Sequence, residues 1–151
     1  MISEMIDFVD LLLAALLVGA MFGLWLLLNP ARRTSGLYIT LHQQGIRTLN
    51  TALPAFGAAA VILSLTASVY ARRESTRCGL LIAAATCFAA AGFITRFQNQ
   101  RINATVITWK SDAPPANWAE ITGAWLGWHA IRLLVGVGGL SLLIVAMLRR
   151  S

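Results

Sequence analysis

Four apolar runs, each close to the length needed to cross a lipid bilayer, take up most of this chain. They lie at Leu11–Leu28, Thr51–Tyr70 and Cys78–Thr95, and in the stretch that follows Asn117 and ends at Leu148. A membrane-spanning helix needs about 20 mostly apolar residues at 1.5 Å of rise each. Within 151 residues, four such runs leave room for turns and little else. The composition agrees: 58% of residues are hydrophobic and 12% charged, where a soluble domain carries about 25% charge. The surface of a water-soluble globule cannot be covered from this stock. The expected fold is all-α, an integral membrane four-helix transmembrane bundle, as one domain over residues 1–151.

The punctuation between the runs sets the expected boundaries. The first helix is preceded by Glu4, Asp7 and Asp10, where a cleaved leader would be basic, so it reads as a retained span. Gly19 and Gly23 form a small-xxx-small pair suited to close helix contact. A basic turn, Pro30–Gly36, precedes a second helix over Leu37–Tyr70, with Pro54 as a kink. Arg72, Arg73, Glu74 and Arg77 make the next turn. The third helix runs from Cys78 and, with no breaker after Thr95, continues to about Trp109. Asp112–Ala116, with Pro114 and Pro115, is a loop. Asn117 and Glu120 have capping-box spacing and open a fourth helix that ends at Leu148. Cys78 and Cys87, nine apart in apolar sequence, fit packing better than metal or redox chemistry.

Net charge is +6. No aromatic–basic platform or zinc spacing accompanies it, so it reads as headgroup and topogenic charge, and no nucleic-acid partner is expected. Arg72, Arg73, Arg77, Arg149 and Arg150 place both termini in the cytoplasm by the positive-inside rule, against Arg32, Arg33, Arg47 and Lys110 at the other end. The expected location is the plasma (inner) membrane. Homo-oligomerisation is left open.

Counting residues from the terminus-bearing end puts polar groups inside the helices only at the opposite end. Ionisable groups within a span usually face the bundle interior or a water-filled cavity. Asn99 and Asn103 share a helical face with Arg96, and Trp125, His129 and Arg132 share another. Facing inward together, they make a pocket for a flat, partly anionic, hydrophobic aromatic molecule. His129 is the candidate base, Asn99, Asn103 and Arg132 stabilise an oxyanion, and Trp125, Arg96, Arg47 and Trp109 are further binding candidates. Each also has a structural reading: amides as helix glue, arginines snorkelling to headgroups, a histidine bonding a backbone carbonyl, tryptophans in an interfacial belt. No metal is expected. A haem or metal centre would draw on His129, His42 and Glu120, but His42 counts about 12 Å outside the level of His129.

Asn99-Gln-Arg-Ile-Asn103, Trp109, Trp118, Trp125 and His129-Ala-Ile-Arg132 together resemble the second half of the anthrone oxygenase-like family, small four-helix membrane proteins. Arg101 stands where many members carry proline, and His129-Ala130 where many carry Asn-His. The resemblance implies a cofactor-independent oxygenase. In that scheme His129 takes a proton from an activated carbon of a phenolic or ketonic substrate, and the enolate, held by Asn99, Asn103 and Arg132, reacts with dioxygen. The competing classes are a haem- or metal-binding membrane oxidoreductase, and a non-enzymatic membrane subunit or small-molecule binding protein.

Overall fold

The computed structural model describes residues 1–149; Arg150, part of the topology argument, lies outside them. The secondary structure described is helical throughout. Helix α1 is Ile2–Leu27, α2 Ser35–Leu49, α3 Ala52–Tyr70, α4 Ser75–Ile94, α5 Gln100–Val106 and α6 Trp118–Leu148. A π-helical turn, Thr95–Asn99, joins α4 to α5, so that Ser75–Val106 is one continuous rod. Four segments are long and apolar enough to cross a membrane: Ile2–Leu27, Ala52–Tyr70, Ser75–Val106 and Trp118–Leu148. The chain is a four-helix membrane bundle.

The spans pack in the order α1–α3–α4–α6, with α6 closing back onto α1. Neighbours are antiparallel: Asp10 meets Ser64 and Leu17 meets Gly57 between α1 and α3, while Thr95 meets Arg132 and Phe88 meets Gly139 between α4 and α6. The core along the axis is built from small and aliphatic side chains, among them Ala14, Leu17, Met21, Ala60, Ala84 and Leu143. Outward faces are also apolar, as lipid requires: Leu12, Ile62, Ile82 and Leu134 are exposed.

Three expectations change. Gly19 and Gly23 do not form a helix contact; a Cβ on either would meet nothing within 4 Å, because α1 turns its Ala14–Leu17–Met21 face inward. Close approach instead uses Gly136 and Gly139 on α6, where an added Cβ would lie 2.7 Å from Met21 Cε and 3.0 Å from Cys87 Cβ. Second, Leu37–Tyr70 is two helices. Pro54 does not kink a continuous rod. Its ring would clash with the Asn50 carbonyl four residues back, so α2 stops at Leu49 and Pro54 lies in the first turn of α3, where no N–H is needed. Third, Arg77 is not a turn charge. It is buried in the first turn of α4 and ion-paired with buried Asp7 of α1. Helix α6 does begin after Asn117, but the Asn117 side chain makes no capping bond.

Candidate functional site

At the polar end α2 packs along α5 and the first turns of α6. Asn50 Oδ1 accepts from Asn103 Nδ2 at 3.1 Å, and His42 Nε2–H donates to Asn103 Oδ1 at 3.2 Å. One amide thus holds two residues of α2 and its cap that are about 12 Å apart along a straight helix. The Gln43 amide anchors α2 further, donating to the Val106 and Trp109 carbonyls at 2.9 Å each where α5 runs out. The expectation that His42 lies about 12 Å outside the level of His129 is therefore overturned. Both imidazoles touch one indole: His42 meets Trp125 at 4.5 Å between ring centroids, and His129 stacks on it at 4.7 Å and 9°.

The π turn sets the facing rod. Its wider turn moves Thr95 and Asn99 to the inside and leaves Arg96 exposed. Asn99, fully buried, donates through Nδ2 to the Trp125 carbonyl at 3.1 Å. Thr95 Oγ1 accepts from Arg132 Nη1 at 3.1 Å. Arg132 Nη2 lies 2.6 Å from His129 Nδ1, and His129 Nε2 lies 2.8 Å from the Met21 carbonyl. A guanidinium only donates, so Nδ1 of His129 is the acceptor and Nε2–H donates to Met21. Both nitrogens of His129 are engaged in the resting site.

His42 differs. Its Nε2 carries the proton given to Asn103, and its buried Nδ1 lone pair has no protein partner. Burial lowers its pKa to about 4, with the Asn103 hydrogen bond pulling the other way, so the ring is neutral near pH 7. Tyr38, edge-on to His42 at 5.4 Å, has its phenol raised by burial and stays protonated. Two N–H donors in the same buried cluster also lack protein partners, Trp125 Nε1 and Arg132 Nε. A cavity of about 30 Å³, room for about one water, is lined by His42, Asn50, Asn103, Thr95, Trp125 and Arg132.

Of the residues picked from sequence, Asn99, Asn103, Trp125, His129 and Arg132 come together. Trp109 is half-buried behind them, against the Tyr38–Ile39–Trp125 cluster. Arg47 and Arg96 are exposed and do not line the cavity. The trio considered for a metal does not converge. Glu120 is exposed on the first turn of α6, and of the four imidazole nitrogens only His42 Nδ1 offers an unengaged lone pair. No group of three or more His, Cys, Asp or Glu side chains that could hold a metal ion occurs among the described residues. Sequence reasoning missed Asn50, Thr95 and the place of His42. The available signal was Pro54, whose ring conflicts with the carbonyl of residue 50.

Fold and site define a class: a small polytopic membrane protein with a small polar chamber at one end of a four-helix bundle. The model of the anthrone oxygenase family matches residues 46–142, more than half of the chain, and the chain belongs to that family. The matched stretch includes Asn50, Asn99, Asn103, Trp125, His129 and Arg132, and stops short of His42. No curated protein and no solved structure matches the chain.

Proposed function

We propose that this protein is a membrane-embedded, cofactor-independent oxygenase acting on an apolar phenolic or anthrone-type molecule. Family membership supports the reaction class. The observation that carries the reading is a buried cluster in which one imidazole nitrogen and two N–H donors are unengaged by the protein.

In this reading His42, rather than His129, is the base. Its Nδ1 takes a proton from the activated CH₂ of the substrate, and the resulting imidazolium is paired with the enolate it has just made. Arg132 Nε–H and Trp125 Nε1–H donate to the enolate oxygen, as preformed dipoles in a water-poor site. His129, locked between Met21 and Arg132, is a positioning residue that fixes the guanidinium. Asn99 and Asn103 give their Nδ2 donors to the Trp125 carbonyl and to Asn50 Oδ1, and hold the indole and His42 in place. Dioxygen accepts the carbanion's electron pair and forms a C–O bond. The proton held by His42 completes a hydroperoxide, R₂CH–OOH, which loses water to give the ketone, R₂C=O. The balance is R₂CH₂ + O₂ → R₂C=O + H₂O. No cofactor is required, because the substrate anion supplies the electrons.

The test uses purified protein in lipid nanodiscs with 1,8-dihydroxyanthrone, following quinone absorbance and oxygen uptake after subtraction of the protein-free rate. One O₂ per quinone is expected. General-base removal typically costs 10²–10⁴-fold, so His42→Gln and His42→Ala should lower kcat by at least about 100-fold. Folded His42 variants with full turnover would sink the role given to this residue.

A further inference from the structure

A second cavity lies directly behind the chamber. It holds about 220 Å³ between α3 and α4, with Leu17 and Met21 of α1 as its floor. Its walls are small or apolar: Gly57, Ala58 and Val61 from α3, Ala89 and Gly92 from α4. Leu53, Pro54, Thr95 and Arg132 line both this cavity and the polar one, so the guanidinium stands in their common wall. Ala58, Ala89 and Gly92 are exposed although they lie within membrane-spanning helices, so the cleft opens sideways onto lipid. The gap is a consequence of side-chain size. A Cβ on Gly92 would meet nothing within 4 Å.

Arg132 gives the cleft its chemistry. It is 5% exposed and, among the described residues, forms no ion pair. Its neighbours are a hydroxyl and a neutral imidazole, and its Nε–H has no protein partner. A buried cation in a membrane span without a counter-charge is costly, and a bound anion removes that cost. The cavity beside it is apolar, so the fitting anion carries its charge at one edge of an apolar body. Drug-sized pockets begin at roughly 300 Å³. A cleft somewhat smaller than that, and open at its side, suits a small fused aromatic with one edge left in the acyl chains.

We infer that the α3–α4 cleft is the substrate site: an aromatic phenolate or enolate enters from the bilayer between Ala58 and Gly92 and pairs its oxygen with Arg132. The aromatic identity of the ligand rests on the oxygenase reading; the cleft and the anion do not. Entry by this route brings an apolar substrate to Arg132, in the wall shared with the chamber that His42 lines, without crossing water.

The probe is 1,8-dihydroxyanthraquinone, which this chemistry cannot oxidise further, titrated into wild-type and variant nanodiscs with its absorbance shift as the readout. Gly92→Leu and Ala58→Leu fill the cleft from opposite walls and should each raise Kd at least tenfold. Gly19→Leu, on a lipid-facing site of α1, should leave it unchanged. Arg132→Gln should abolish the preference of the wild type for the dye over unsubstituted anthraquinone. Unchanged Kd in both cleft variants overturns the inference, even if anthrone turnover is observed. Loss of binding in both supports it, even if the wild type turns over no anthrone, in which case the oxygenase reading falls alone. Palmitate displacing the dye with equal affinity would make the cleft a fatty-acid site and overturn the aromatic assignment.

Discussion

His42 and His129 are the same side chain with different hydrogen-bond partners, and the burial of His42 predicts a pH profile. His42 has its pKa lowered to about 4, chiefly by burial. The neutral form, which accepts the proton, therefore persists down to that pH. In the proposed reaction kcat/KM is flat from pH 8 to about 5 and falls as pH drops through about 4. An acidic limb near 6.5, the value for an unburied imidazole, would mean that the working group is not the buried His42. The same pair shows how much of the site was readable in advance. Asn99, Asn103, Trp125, His129 and Arg132 sit on two helices at spacings of three and four, so helical geometry alone groups each set on a face. His42 lies on another helix, and only its contacts with Asn103 and Trp125 bring it to them. Asp7 and Arg77 were equally hidden. They are far apart in sequence, and each has an ordinary reading alone, as an acid ahead of a retained span and a base in a turn. Only the register between α1 and α4 turns them into a buried pair.

Helix α6 is the element on which packing presses hardest. Gly139 has Cys87 Cβ and the Phe88 ring both 3.0 Å from where its own Cβ would be, and Gly19 of α1 has open space there. Gly139→Val should therefore destabilise the bundle by roughly 1–3 kcal/mol, the usual range for overpacking. Gly19→Ala should be neutral, or stabilising by up to about 1 kcal/mol through helix propensity. Reversible unfolding in mixed micelles measures both, and the opposite order would return the close contact to α1. A small-xxx-small pattern identifies glycines that could permit contact, but not which face of a largely apolar helix turns inward, and all four spans here are largely apolar. Helix existence was legible for the complementary reason: a run of some 20 apolar residues has few stable forms in lipid other than a helix. The one misread element, the Leu37–Tyr70 rod, failed at Pro54, where the choice between kink and break depends on tertiary partners. Here Asn103 and the carbonyls of Val106 and Trp109 supply partners for a separate α2.

The assembled bundle carries its exposed positive charge unevenly, and that bears on its orientation. Read from sequence, the arginines near the termini place that end in the cytoplasm. Burial alters the balance. Arg77 is paired with Asp7 and withdrawn from the surface, leaving Arg72, Arg73 and Arg149 exposed at that end, with Arg150 of the sequence to be counted beside them. At the chamber end Arg32, Arg33, Arg47, Arg101 and Lys110 are all exposed. The positive-inside rule counts Lys and Arg in short loops near the span ends, and acids contribute little to it. Applied to exposed charge, it puts the chamber end in the cytoplasm and the α3–α4 turn outside. The prediction is tested in intact cells with a membrane-impermeant maleimide, in a background where Cys78 and Cys87 are replaced by alanine. Arg73→Cys, in the α3–α4 turn, should label at once, and Asp112→Cys, in the loop before α6, only after permeabilisation. The reverse pattern would restore the orientation first read from the sequence. Neither result moves the α3–α4 cleft, which opens within the bilayer and is reached from lipid in either orientation. The labelling therefore decides on which side of the membrane α2 and the chamber lie.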